Sequence, residues 1–212
     1  MGEKRVMEGL FANPLFVGAH VDDVELFAGG TIHRFRENAR VISFSRHKGV
    51  LPSPPSEFWS SLAELGVEDR GEASDLPACQ AGEVSFVHNR QFIHQVLIGH
   101  EPSVAVTHQS TDTNQDHRAI YEEVLRVFKG KCPIICGAFF NNDTPFADRR
   151  MFVKIGREDL DAKIRAIQCY RSQRVCERPY FDEVRIEAEA RYFGGMIGAE
   201  FAEAFEIIRI WG

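Results

Sequence analysis

Short apolar runs recur along this chain at Leu15–Ala19, Val41–Phe44, Val84–Val87, Val104–Thr107 and Ile134–Phe140. Continuous runs of this length read as strands buried on both faces, and the intervals between several of them leave room for a helix. Strands that alternate with helices form a parallel sheet, because each connection has to cross over one face and so covers it. The expected architecture is therefore α/β, a Rossmann-like three-layer sandwich with a mostly parallel central sheet.

The helical segments are marked by spacing. Leu62–Leu65 falls in a short helix, and Ile120, Val124, Val127 and Phe128 form the apolar stripe of another that begins just after His117. Leu160, Ile164 and Ile167 mark a third, with Asp159 as its cap, and a further helix is expected over Glu183–Phe193. A short last strand near Ile207–Ile210 would edge the sheet, and Pro52, Pro54 and Pro55 mark a loop. With no repeat, linker or low-complexity stretch, 212 residues fit a single domain over 1–212 that buries its own core.

A net charge of −6, with nothing more basic than pairs such as Arg149-Arg150, argues against nucleic acid and for a small-molecule partner. The five cysteines are odd in number and include no Cys-x-x-Cys pair, which suits reduced thiols in a cytoplasmic protein. Lys4 and Arg5 precede Leu10-Phe11-Ala12, but Asn13-Pro14 interrupts the run, so no cleaved signal is expected. No segment is long enough to span a bilayer.

His20, Asp22 and Asp23 follow directly on the first apolar run, at a strand end, where ligands of open α/β sheets collect. A second loop, His108 to His117, follows the run ending at Thr107. If those two strands are neighbours, His117 can meet His20 and Asp23 around one ion. Two imidazoles and a carboxylate leave a zinc position open, as in hydrolytic sites, and Asp22, which cannot easily face the same ion as Asp23, is free to accept a proton from water. Each of these residues has a plainer role taken singly: Asp22 and Asp23 as helix caps, His117 as the start of its own helix. Together on two strand-end loops they point to a hydrolytic metal site.

Neighbouring residues have two readings each. His108 either supports the centre or bonds nearby backbone, and Asp112 or Asp116 either orients a metal-binding imidazole or caps a helix. Glu25 supports the metal shell or favours the helix N-terminus. Arg46, His47, Lys48 and Arg90 read as charged surface groups, and His33, His88, His94 and His100 have no partner at ligand spacing. Phe58, Trp59, Phe140 and Phe146 are loop aromatics able to stack on a sugar.

The segment Ala19-His20-Val21-Asp22-Asp23-Val24-Glu25-Leu26, followed by Ala28-Gly29-Gly30-Thr31-Ile32, resembles the first motif of the PIG-L/LmbE-like N-deacetylases. Thr107-His108, Asp112 and Asn114 to Ala119 resemble the second metal motif. Lys163, Ala166, Tyr170, Ser172 and Gln173, with Ala202 to Phe205, resemble the C-terminal pattern. The resemblance implies a zinc-dependent enzyme that hydrolyses N-acetyl groups, commonly on N-acetylglucosamine-type sugars and their conjugates, another divalent metal being an alternative to zinc. Carried over by motif, His20, Asp23 and His117 would be the metal ligands and Asp22 the general base.

The chain departs from the pattern at four places. Val21 stands where the family usually has proline, Asn114 where histidine is frequent, Pro54 where an arginine precedes Glu57, and Phe27 where a small residue is common. A neutral amide at 114 donates hydrogen bonds but hands over no proton. These changes leave two alternatives open: a metal-dependent hydrolase of another amide or an ester, and a metal-stabilised binding protein without turnover.

Overall fold

The computed structural model describes residues 2–45, 54–76, 89–137, 148–174 and 178–211. The elements run α1 (Gly2–Leu10), β1 (Pro14–His20), α2 (Asp23–Arg34), β2 (Arg40–Ser45), α3 (Pro55–Glu64), β3 (Gly71–Ala73), α4 (Arg90–Leu97), β4 (Val104–His108), α5 (Gln115–Phe128), β5 (Ile134–Gly137), β6 (Arg149–Ile155), α6 (Arg157–Gln168), α7 (Arg171–Arg174), α8 (Glu183–Met196) and β7 (Phe201–Arg209). They build one seven-stranded sheet in the order β3-β2-β1-β4-β5-β7-β6. The first five strands of that order are parallel, and β7 is antiparallel to both β5 and β6.

Alternate residues of the central strands face opposite layers, as the pleat requires. Phe16, Val41, Val106 and Ile135 pack under α2, α3 and α6 with Leu26, Phe58, Leu62 and Leu160. Leu15, Val17, Ile42, Ala105 and Ile134 pack on the other side, against Ile93 and Leu97 of α4 and Ile120, Val124 and Phe128 of α5. Burial on both faces is why these strands read as unbroken apolar runs. The chain winds outward from β1 to β2 and β3 on one side and from β4 to β5 on the other, so the direction reverses between β1 and β4. Their carboxyl ends, at His20 and His108, flank that switch point.

Several sequence expectations need correction. The last strand spans Phe201–Arg209, not merely its end, and lies inside the sheet, with β6 as the edge. Strand β6 was not anticipated because Arg149, Arg150 and Lys154 interrupt its apolar residues, as suits an edge strand with one open side. Helix α5 begins at Gln115, so His117 lies in its first turn, and α6 begins at Arg157, with Asp159 accepting the Gly156 N–H at 2.8 Å from inside the helix. The segments Val84–Val87 and 138–140, and the 46–48 charges, lie outside the described residues. Within the described residues no helix is long and apolar enough to cross a membrane.

The first half of β7 was hidden by Glu203, a carboxylate in a buried strand. Glu203 accepts the Lys163 ammonium at 2.7 Å, the Gly30 and Thr31 N–H groups at 3.0 and 2.7 Å, and the Thr31 hydroxyl at 2.6 Å, tying β7 and α6 to α2. The glycines of α2 are needed for this packing, since a Cβ at Gly29 would lie 2.8 Å from Lys163 Cγ. Glu203→Ala strands a buried ammonium, and breaking such a pair from one side costs about 3–5 kcal/mol. Urea denaturation is expected to show a loss of that size, with Glu203→Gln losing less.

Candidate metal centre

The turn after β1 folds back on itself. Asp23 Oδ2 accepts the His20 backbone N–H at 2.7 Å, which holds the carboxylate beside its own strand end. From there Asp23 faces three rings: His20 Nδ1 lies 3.3 Å from Oδ2, His117 Nε2 lies 3.3 Å from Oδ1, and His108 Nε2 lies 3.3 Å from Oδ2. His117 Nε2 and His20 Nδ1 are 3.3 Å apart. His20, Asp23 and His117 are all buried, and their ligand atoms gather within 4.8 Å of one another.

These separations fit a zinc ion. Four ligands in a tetrahedron about 2.0–2.1 Å from the metal stand about 3.3–3.4 Å from each other; the two imidazole nitrogens stand at that spacing, and each lies 3.3 Å from one oxygen of Asp23, His20 Nδ1 from Oδ2 and His117 Nε2 from Oδ1. The nitrogens facing away from the centre are also matched. His117 Nδ1 lies 2.8 Å from Asp112 Oδ2, and His20 Nε2 lies 3.1 Å from Asp116 Oδ2. Each carboxylate faces one ring nitrogen and leaves the other directed inward, the arrangement metal-binding histidines use. Asp112 and Asp116 thus both contact the imidazoles, and Asp112 also accepts the Asn114 N–H at 2.8 Å.

His108, which with Asp112 and His117 forms an overlapping group of potential ligands, does something different. Its Nε2 accepts the Ala19 N–H at 2.9 Å, so that lone pair is engaged by the backbone of β1. The ring stacks on His117 at 3.9 Å between centroids and receives the edge of Phe27 at 5.6 Å. Burial first, then the neighbouring His117 charge, lower its pKa, in keeping with a neutral ring that braces the centre. Phe27 in turn presses on Gly137, where a Cβ would lie 2.5 Å from its ring. The bulk of Phe27 is accommodated by the missing side chain at the end of β5.

Asn114 caps α5, its side-chain oxygen accepting the N–H groups of Asp116 at 2.8 Å and His117 at 3.5 Å. Asp22 occupies the corresponding position before α2, but its carboxylate makes no capping bond. Glu25 is buried one turn later and accepts the Ser61 hydroxyl at 2.8 Å, while its Oε1 lies 2.7 Å from the Tyr170 hydroxyl. Burial pushes Glu25 up to about 8 despite those bonds.

Some anticipated assignments differ. Phe58 is a core residue of α3 and Trp59 is exposed, while Phe140 and Phe146 lie outside the described residues. His33 pairs with Asp159 at 2.7 Å, His94 lies 3.4 Å from Glu123 and His100 lies 3.7 Å from Glu72, so these histidines meet carboxylates away from the centre. Arg90 binds Glu122 and Glu123. Residues not anticipated include Tyr180, whose hydroxyl is pushed up to about 12 by burial and by the Asp22 charge and accepts a bond from Arg178 at 2.9 Å. Glu206 of β7 was also missed; it accepts the Ser110 N–H and hydroxyl at 3.1 and 2.7 Å and anchors the loop carrying Asp112 and His117. No motif spacing marks either residue.

The protonation of the metal-free centre gives a testable consequence. Burial on its own would lower His20 and His117, but the Asp23 charge and the bonds to Asp116 and Asp112 outweigh it and raise them to about 9 and about 10. Burial would likewise raise Asp23, yet His117 and His20 hold it well below its ordinary value. The centre therefore holds protons to higher pH than free imidazole does, and a metal has to displace them. Zinc binding at pH 7 is expected to release at least one proton, and affinity to rise with pH. Calorimetry in buffers of different ionisation enthalpy counts the protons; a release near zero would contradict this.

Residues 15–128 match the sequence model of the PIG-L family, described as GlcNAc-PI de-N-acetylase. The chain belongs to the PIG-L family. Solved structures similar to this PIG-L chain include a conserved protein from Thermus thermophilus, with a TM-score of 0.72, 24% identity, and 94% of this chain and 97% of that chain covered. The N,N'-diacetylchitobiose deacetylase from Pyrococcus horikoshii has a TM-score of 0.69 at 16% identity, covering 98% and 91%. A zinc-inhibited form of the teicoplanin deacetylase Orf2 has a TM-score of 0.66 at 16% identity, covering 92% and 97%. At these identities the likeness speaks for the PIG-L fold. No curated protein matches the sequence.

Proposed function

We propose that this PIG-L protein is a zinc-dependent hydrolase that removes the acetyl group from an N-acetylglucosamine-type amino sugar or sugar conjugate. The observation that carries the reading is the buried cluster of His20 Nδ1, Asp23 and His117 Nε2, the two nitrogens 3.3 Å apart and each 3.3 Å from an Asp23 oxygen, with Asp22, the residue before Asp23, making no capping bond in α2. His20, Asp23 and His117 would hold the ion. A divalent ion there supplies Lewis acidity toward the amide carbonyl and makes water more acidic. Asp22 takes the proton of the attacking water at a carboxylate oxygen and returns it to the amine nitrogen as the C–N bond breaks, giving acetate and a primary amine. Asn114 is a neutral amide engaged as a cap, so Asp22 carries both transfers.

Other divalent ions suit the same donors, and zinc is favoured by the tetrahedral spacing. The chain is read as one deacetylase domain over 1–212 acting on a small molecule. Free thiols at Cys132, Cys136 and Cys169 support a cytoplasmic setting. The test is to load purified protein with one zinc per chain and measure acetate and amine release across a panel of N-acetyl amino sugars. Cleavage of at least one supports the reading. Failure on every sugar with turnover of other amides or esters would transfer the assignment to those bonds, and zinc binding with no turnover of any would leave a non-catalytic protein.

A further inference from the structure

Val21 lies between His20 and Asp22, and its side chain and Asp22 are both buried. Its carbonyl falls outside the helical ladder of α2, whose first backbone bond from this turn runs from the Leu26 N–H to the Asp22 carbonyl. The Val21 carbonyl oxygen instead accepts the hydroxyl of Tyr170, a fully buried residue between α6 and α7. The same hydroxyl lies 2.7 Å from Glu25 Oε1, and that oxygen accepts the Ser61 hydroxyl at 2.8 Å. One peptide of the turn is thus tethered through a single phenol to α2, α3 and the end of α6. Val21 does not fix its own φ as proline does, and the tether adds a restraint on the peptide plane ahead of Asp22.

We propose that Tyr170 is a positioning residue for Asp22, its hydroxyl holding the Val21–Asp22 peptide in the one orientation that presents the Asp22 carboxylate beside the ligands. The inference rests on Asp22 being the proton carrier. Tyr170 bonds the Val21 carbonyl and lies 2.7 Å from Glu25, and its effect on Asp22 is exerted through the backbone. A misplacement of about 1 Å costs as much as 10²-fold in rate.

In zinc-loaded Tyr170→Phe, kcat on an N-acetyl sugar cleaved by the wild type is expected to fall about 10- to 100-fold, with KM and zinc stoichiometry unchanged. In the Asp22→Asn background the same change is expected to cost nothing further, because the group it positions is gone. Independently of activity, hydrogen exchange in the metal-loaded protein is expected to quicken about tenfold for amides 21–24. Ser61→Ala, which loosens Glu25 and leaves the phenol in place, gives a smaller change in the same direction should Tyr170→Phe fold poorly. Wild-type kcat in Tyr170→Phe, an undiminished further loss in the Asp22→Asn background, or unchanged exchange at 21–24 would each overturn the proposal. If the wild type cleaves no substrate, the deacetylase reading fails, and the exchange measurement alone still decides whether the tether exists.

Discussion

Asp22→Asn is expected to reduce turnover of an N-acetyl amino sugar by about 10²–10⁴-fold, the range for loss of a positioned acid–base group, while the protein still binds one zinc per chain. The amide has nearly the shape of the carboxylate and can still accept a hydrogen bond from water, but it cannot take up the proton at neutral pH. Because Asp22 makes no capping bond in α2, the substitution is not expected to lower stability by the amount a lost cap costs, about 1 kcal/mol. Steady-state kinetics with metal analysis of the same preparation separate the two roles. Retained turnover would remove Asp22 as the base, and loss of zinc with turnover would mean that Asp22 is a ligand.

The second large effect concerns the ion. His117→Ala removes one of three ligands and is expected to weaken zinc binding by more than about 100-fold, whereas Asp112→Asn, which alters the partner of the His117 outer nitrogen and keeps an oxygen for the Asn114 N–H, is expected to cost about 10–100-fold. The ordering follows from the contacts, with His117 Nε2 facing the other two donors and Nδ1 facing Asp112 at 2.8 Å. Competition against a chromophoric chelator measures both. Equal losses would mean that Asp112 and not His117 Nε2 faces the ion. Chelation of the wild type is expected to abolish turnover and added zinc to restore it.

The parts of the fold legible in the sequence were those where burial is two-sided. Strands β1, β2 and β4 are covered on both faces, so every position but their ends at His20, Arg40 and His108 is apolar or small, and the runs announce themselves. The first half of β7 is equally buried, yet Glu203 interrupts it, and the Lys163, Gly30 and Thr31 partners that satisfy this carboxylate come from distant elements. Strand β6 has the opposite difficulty: an edge strand is half exposed, and its arginines read as loop.

At the centre, local spacing showed the ligand types, while convergence depended on β1 and β4 being neighbours, which no window of sequence contains. The carboxylates behind the rings could be named only as alternatives. Asp112 and Asp116 flank Asn114, and only the path of the chain into α5 sets which faces which imidazole. Tyr170 was marked by the C-terminal pattern, but its contact with Val21 was not, and Tyr180 and Glu206 lie in the C-terminal third, at separations where pattern carries no register.

The most direct test is the anomalous scattering of a crystal of the zinc-loaded protein. The account predicts one peak about 2.0–2.1 Å from His20 Nδ1, an Asp23 carboxylate oxygen and His117 Nε2, with Asp22 outside bonding distance. A zinc ion bound elsewhere at full occupancy, or one that takes Asp22 in place of any of the three, would contradict it.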